Sequence, residues 1–333
     1  MPHPLVSISI PTRNSSKTLK LCLESILAST YPNIEIIVVD GNSTDNTVKI
    51  AEEYGAKVIN CNWGLLGARY MGFMASRGSY ILMLDSDQVL EPTTIERSIE
   101  AFKFYDMLVL EEMSYKPKTV IERLFHYDRE LIHRSLSINP LTGEVLPRFF
   151  KRDLLERVFD AIPREAIEKL IHFDHAVIYY EAYKISKKVG IIPRAVWHLE
   201  VPTIKDMIFK NLRYGKSLVS FLKFKEYRAL LFRDSLINKL LNRLKSKCVR
   251  SLKAFIASIT LNAIKNSIIS LGMIMGFMKS LGEVTRVHEA KGYIPKPLSL
   301  NMGMMTNPGP PCREHEARPG QLTPVTKRKR HQP

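Results

Sequence analysis

The chain has 333 residues, 45% hydrophobic and 25% charged, which suits a globular core and one large domain with an appendage, or two domains. Its four cysteines (Cys22, Cys61, Cys248, Cys312) have no metal-ligand spacing and suggest no disulfide framework, so reduced thiols in a cytosolic setting are expected. The net charge of +16 is uneven: residues 201–296 hold 19 Lys or Arg against 5 Asp or Glu, 297–333 hold 6 against 2, and the rest is near neutral, so the second part is expected to meet an anionic partner such as a membrane surface, a lipid phosphate or a nucleic acid.

In chain order, Val6–Ile10 predicts a first strand ending at Pro11, too short to be a signal peptide. Ser15 and Ser16 cap a helix to about Ala28, with Leu19, Leu23 and Ile26 on one face. Ile34–Val39 is β-branched and apolar apart from Glu35, as a buried parallel strand should be. A turn at 41–45 feeds a helix to Tyr54; Val58–Asn60 is a short strand, and Leu65–Ser76 a helix broken by Gly78. Tyr80–Leu84 predicts the next strand, Pro92 opens a helix to Tyr105, and Met107–Leu110 is a further strand. Strands alternating with helices argue for a mostly parallel sheet flanked by helices.

Beyond residue 115 the pattern loosens. Helices are expected at Val120–Leu136, 152–158, 163–171 and 174–188, and strands at Arg148–Phe150 and Gly190–Trp197. From 203 the chain reads as basic, amphipathic helix, with Lys or Arg alternating with Leu, Ile, Phe and Met through 217–282. Lys265 divides the apolar run Ala254–Met278 into uncharged stretches of 11 and 13 residues, short of the ~20 a membrane-spanning helix needs, so an interfacial helix on an anionic membrane is expected instead. The tail 297–333, rich in Pro, Gly and polar residues, predicts disorder. The expected organisation is therefore 1–216 as the α/β domain, 217–296 as a basic helical segment, and 297–333 as a tail.

The chemistry concentrates at Asp85-Ser86-Asp87, directly after the strand Tyr80–Leu84. In open α/β sheets ligands sit at the carboxyl ends of strands. Two carboxylates two residues apart there suit a divalent cation, Mg2+ or Mn2+, that also holds phosphate oxygens. No Gly-x-Gly-x-x-Gly follows the first strand and no Walker lysine loop occurs, so a nicotinamide or P-loop site has no support.

Four motifs occur in order: Ser9-Ile10-Pro11-Thr12-Arg13-Asn14; Val38-Val39-Asp40-Gly41-Asn42-Ser43-Thr44-Asp45; Gly67-Ala68-Arg69 with Gly72 and Gly78 leading into Leu84-Asp85-Ser86-Asp87; and Asp174, His198 and Arg213-Tyr214-Gly215-Lys216. Together they resemble the family-2 glycosyltransferases of prokaryotic and archaeal type, over roughly residues 5–216. The resemblance implies a GT-A fold, a Rossmann-like mixed and mostly parallel sheet, and an inverting enzyme using a nucleotide-sugar donor (UDP-, GDP- or dTDP-sugar).

It also implies roles. Pro11, Arg13 and Asn14 flank the donor, Asp40 accepts hydrogen bonds from a base or ribose, and Arg69 meets a phosphate. Asp85 bridges ribose and metal, Asp87 binds the metal directly, and His198 lies near the metal or diphosphate. Asp174 takes the place of the catalytic acidic residue, although the family usually shows Glu-Asp where this chain has Phe173-Asp174; Glu181 is held in reserve. Arg213, with Tyr214 and Lys216, would neutralise a diphosphate or lipid phosphate. Blander readings stand beside these: Asp40 in a helix-capping turn, Asp174 as an N-cap, Arg69 and Arg213 on solvated helix faces. The expected acceptor is a lipid-linked glycan, a polyprenyl phosphate or another hydroxyl compound, at the cytoplasmic face of a membrane. A non-catalytic, membrane-tethered binding protein is the rival from another class. Nucleic acid is disfavoured, because the motif-bearing domain would then have no role.

Overall fold

Apolar, β-branched runs form the centre of one eight-stranded sheet. The computed structural model describes residues 3–135, 137–201, 203–245 and 252–290; the 297–333 tail, Cys248 and Cys312 lie outside them. The first part comprises β1 (Val6–Thr12), α1 (Ser16–Leu27), β2 (Ile34–Asp40), α2 (Thr47–Glu53), β3 (Lys57–Asn60), α3 (Leu65–Ala75), β4 (Tyr80–Met83), β5 (Gln88–Leu90) and α4 (Thr94–Ala101). Then come β6 (Met107–Ser114), α5 (Val120–Ser135), β7 (Pro147–Lys151), α6 (Arg152–Ala161), α7 (Arg164–Lys169), α8 (Asp174–Ile185) and β8 (Val189–His198). The basic part forms α9 (Ile204–Phe221), a 3-10 turn at Lys225–Tyr227, α10 (Leu230–Arg233), α11 (Leu236–Lys245) and α12 (Leu252–Ala290).

The strand order is β3-β2-β1-β4-β7-β6-β8-β5. β3, β2, β1 and β4 pair in parallel, β7 runs antiparallel to β4 and β6, and β8 is parallel to β6. Alternation along β4 buries both faces: Ile81 and Met83 pack with α6, α7 and α8, while Leu82 and Leu84 pack with α1 and α4. Each such side chain contributes ~1.5–3 kcal/mol on burial. The sheet is thus mixed, mostly parallel and covered by helices on both faces, as expected.

Three differences from the sequence reading have local causes. β5 is only three residues long and was not anticipated; it pairs antiparallel with β8, Gln88 opposite His198. α8 stops at Ile185 rather than 188, because β8 already begins at Val189. Lys265 does not interrupt α12: its ammonium lies over the Phe125 ring, 3.9 Å from Asp128 Oδ2, so the charge turns inward and the helix runs 39 residues. The window Leu252–Leu281 is therefore long and apolar enough to cross a membrane, with a mean hydropathy of 1.4 and 22% of it buried.

The 216/217 division falls inside α9, and the chain from Met1 to Arg286 forms one compact unit. Buried polar pairing ties the basic helices to the domain. Asp128 on α5 accepts hydrogen bonds from Arg243 (2.8 Å), Ser258 (2.6 Å) and Asn262 (2.8 Å), and Arg243 also pairs with Glu144. α9 and α12 cross at very close range, since a Cβ on Gly215 would lie 2.1 Å from Ile269 O and one on Gly272 2.5 Å from Leu212 O.

Candidate active site

A cavity of about 750 Å³ opens at the carboxyl ends of β1, β2 and β4. One half is made by the loops after β1 and β2, and the other by α5, α8 and the basic helices.

The first half is built from short polar side chains bonded to backbone. Asn14 has φ 52, a left-handed conformation that Asn tolerates, and its Oδ1 accepts from Thr44 N at 2.8 Å. Its own N–H donates to Ser43 Oγ at 2.8 Å. Asp40 is buried and accepts from Thr12 Oγ1 (3.0 Å), Ser43 N (2.8 Å) and Ser43 Oγ (2.6 Å). Pro11 and Arg13 line the cavity; Asn14 and Asp40 do not, and instead brace its loops.

The second half is a network of charges. α3 sits so close over β1 that a Cβ on Gly72 would lie 1.9 Å from Ser9 Oγ. That approach carries Arg69, three residues earlier on α3 and only 1% exposed, to the end of β4. Arg69 Nη2 donates to Asp85 Oδ1 at 2.6 Å, and Arg69 Nε to Asp174 Oδ2 at 2.5 Å. Arg148 on β7 completes the clamp, with Nη1 2.8 Å from Asp85 Oδ2. Burial alone would raise the Asp85 pKa, but Arg148 and Arg69 outweigh it and hold the carboxyl well below its ordinary value. Asp174 opens α8 immediately after Phe173, whose φ of 66 is strained for a bulky residue and turns the chain into the helix.

Residues not anticipated from sequence extend the network. Glu112, past a register shift in β6, accepts from Arg148 Nε (2.9 Å) and Gln88 Nε2 (3.0 Å) and pairs with Arg129. Burial opposes its ionisation, yet Arg148 and Arg129 bring its pKa down to about 2. Arg129 also grips both oxygens of Glu200, at 2.7 and 3.1 Å. His175 Nε2 lies 2.7 Å from Arg148 Nη1, and burial plus Arg69 and Arg148 push its pKa well below the ordinary value, so the ring is neutral. The only local signal for these residues was a charge set among apolar neighbours, as in Pro147-Arg148-Phe149.

Asp87 is placed differently from Asp85. The β5–β8 pairing brings His198 Nε2 to 3.6 Å from Asp87 Oδ1, and Leu199 N donates to Asp87 O at 2.8 Å. Nδ1 of His198 lies 3.0 Å from Leu199 O and 3.8 Å from Glu200 Oε2. Among the described residues no three His, Cys, Asp or Glu side chains converge as a cation cage. Asp85 would share either oxygen with a guanidinium. Asp87, with 31% of its side chain exposed, and an imidazole oriented from its far nitrogen nevertheless fit a magnesium or manganese ion that takes its other ligands from phosphate. Arg213, with its guanidinium 5.7 Å from the Tyr214 ring, lines the same cavity beside Lys210. Glu181 pairs with Lys184 on α8 and is absent from the lining.

Residues 7–159 match the sequence profile described as Glycosyl transferase family 2. The chain is 38% identical to the chondroitin synthase of Escherichia coli over 106 residues, 30% of this chain and 16% of that protein. It is 26% identical to the glycosyltransferase EpsH of Bacillus subtilis over 215 residues, 60% of this chain and 62% of that one. The chain thus spans less than two thirds of the length of these curated relatives. Among solved structures it is similar in fold to the mannosyltransferase PcManGT from Pyrobaculum calidifontis in complex with GDP-Man and Mn2+, with a TM-score of 0.51 and 15% identity, covering 87% of this chain and 88% of that one. Through residues 7–159, the chain is therefore similar to glycosyl transferase family 2.

Proposed function

We propose that the chain is an inverting glycosyltransferase that moves a sugar from a nucleotide-sugar donor to an acceptor at a membrane surface. The observation that carries this is the pairing of a half-buried Asp87–His198 couple with a clamped Asp85–Arg69–Asp174 bridge in one cavity of a family-2 domain. Nucleoside and diphosphate would lie along the loops of Pro11, Arg13 and Asp85. A divalent ion held by Asp87 and His198 would offset charge on the departing diphosphate. Arg213 adds fixed positive charge near the same oxygens. In the transfer, an acceptor oxygen forms the new bond to the anomeric carbon as the bond to the diphosphate oxygen breaks, and that electron pair leaves with the nucleotide. For a hydroxyl acceptor, Asp174 is the carboxylate within the cavity to receive its proton; Oδ2 is taken by Arg69, which leaves Oδ1 for that task.

Calorimetric titration of UDP-, GDP- and dTDP-sugars with Mn2+ or Mg2+ tests the donor reading; failure of all to bind overturns it and favours the non-catalytic tether.

The membrane reading rests on the outer faces of α9, α11 and α12, where Phe209, Ile237, Leu244, Ile274, Met278 and Leu281 are exposed within a strongly basic stretch. The Gly272-x-x-x-Gly276 spacing at the α9–α12 crossing is the close packing helices use in lipid. The surface would lie at the cytoplasmic leaflet, which carries anionic lipid. Flotation with anionic and neutral vesicles tests it. Retention by anionic vesicles is expected, and recovery of all protein in the soluble fraction with both overturns it.

A further inference from the structure

Five buried polar side-chain atoms among the described residues have no hydrogen-bond partner, and three of them belong to residues lining the cavity: Arg69 Nη1, His175 Nδ1 and Arg233 Nη1. All three are donors. A guanidinium has no acceptor atom, so the Arg148 Nη1 contact makes His175 Nε2 the acceptor and puts the ring proton on Nδ1. Arg233, 6% exposed, donates through Nη2 to Glu144 O at 2.6 Å and has nothing at Nη1. Its neighbour Asp234 is committed elsewhere, to Lys239 at 2.6 Å and His172 at 3.3 Å. Burial outweighs the nearby Asp234 and Glu144 charges and pulls the Arg233 pKa down to about 10, so the group is cationic at neutral pH. A buried donor without a partner costs ~1–3 kcal/mol, more when charged. Three donors from α3, α8 and α10 around one cavity therefore call for an oxyanion. The local carboxylates cannot supply it: Asp85, Asp174 and Glu112 are already paired with Arg69, Arg148 and Arg129.

We propose that Arg69, His175 and Arg233 form the acceptor subsite and that the acceptor is a phosphate monoester. This rests on the glycosyltransferase reading. A phosphate oxygen then attacks the anomeric carbon, a C–O–P linkage forms, the bond to the nucleoside diphosphate breaks with its electron pair, and no proton has to move.

The test measures turnover of the full chain with a prenyl phosphate in vesicles and with a soluble sugar phosphate, each beside its dephosphorylated alcohol. One phosphate should outperform its alcohol by about tenfold or more, and which one does so identifies the source. Arg233→Gln should raise KM for that phosphate about tenfold while leaving the nucleotide-sugar Kd unchanged, and Arg233→Lys should recover most of the loss. Equal use of alcohol and phosphate, or an unchanged KM in Arg233→Gln, overturns the proposal. If Arg233→Gln does not fold, competition by inorganic phosphate against the acceptor, with donor Kd unaffected, decides the matter in the wild-type chain. Should no nucleotide sugar bind, the donor reading fails by itself; inorganic phosphate alone must then still raise the wild-type melting midpoint, and no rise overturns the subsite.

Discussion

The two halves of the cavity are stabilised by opposite means. Around β1 and β2, Asn14, Asp40 and Ser43 bond to backbone and hydroxyl groups, some three and some about thirty residues away, and these bonds include no guanidinium. Around α5 and α8, Arg69, Arg129 and Arg148 hold carboxylates in places where water is largely excluded. Losing a neutral hydrogen bond costs a folded protein ~0.5–1.5 kcal/mol, whereas losing one partner of a buried ion pair strands a charge and costs ~3–5 kcal/mol. The donor-side loops should therefore tolerate change that the charged half does not.

Arg69→Met gives the largest expected effect. It leaves Asp85 with Arg148 alone and Asp174 without its guanidinium, so unfolding free energy should fall by about 3–5 kcal/mol in urea titrations. A loss below about 1 kcal/mol would show that the network is solvated and would erase the contrast between the halves.

Acid should open the same half first. Glu112 titrates near 2 in the folded chain, against an ordinary value of 4.5, so the unfolded state binds the extra proton first. Its stabilisation is fully present above pH ~4.5 and is lost as pH falls toward 2, on the order of 3 kcal/mol. Denaturant midpoints of wild type and Glu112→Gln across pH 2–6 check this. The variant should start less stable and show a flatter profile; parallel profiles would place the acid sensitivity elsewhere.

Asp87→Asn separates chemistry from stability. Turnover with Mn2+ should drop about 100-fold, equivalent to ~2.7 kcal/mol, with little change in denaturant midpoint, because among the described residues no guanidinium is ion-paired with Asp87. Asp85→Asn should instead lower the unfolding free energy by several kcal/mol. Equal destabilisation by both would mean that the two carboxylates are not in different environments.

The same contrast explains what was legible in sequence. Strand and helix periods of the first 110 residues, β5 apart, follow from local pattern, and so does the turn at 41–45, whose partners are set by short loops at strand ends, whereas the bracing roles of Asn14 and Asp40 do not. The partners of the charged half are fixed only by the fold. Arg69 meets Asp174 across 105 residues and Arg243 meets Asp128 across 115, and no local spacing encodes either pairing. β5 was illegible for a related reason, since three residues become a strand only because β8 arrives beside them. In sequence, only the family resemblance gives Asp85 and Asp87 different roles. The difference between them comes from Arg69 and Arg148 on one side and His198 on the other.

The smallest expected effect belongs to the donor-side loop, and two substitutions resolve it. Asn14→Ala removes the Oδ1 bond to Thr44 N and forces alanine into φ 52, for a combined cost of about 1–2 kcal/mol. Asn14→Gly removes the same bond but accepts the backbone freely, so it should cost about half as much. Because Asn14 adjoins Pro11 and Arg13 in the cavity wall, both variants should weaken nucleotide-sugar binding a few-fold without altering the pH profile set by Glu112. If Asn14→Gly cost as much as Arg69→Met, the loop would depend on more than its own backbone bonds, and the two halves would have to be treated as one cooperative network.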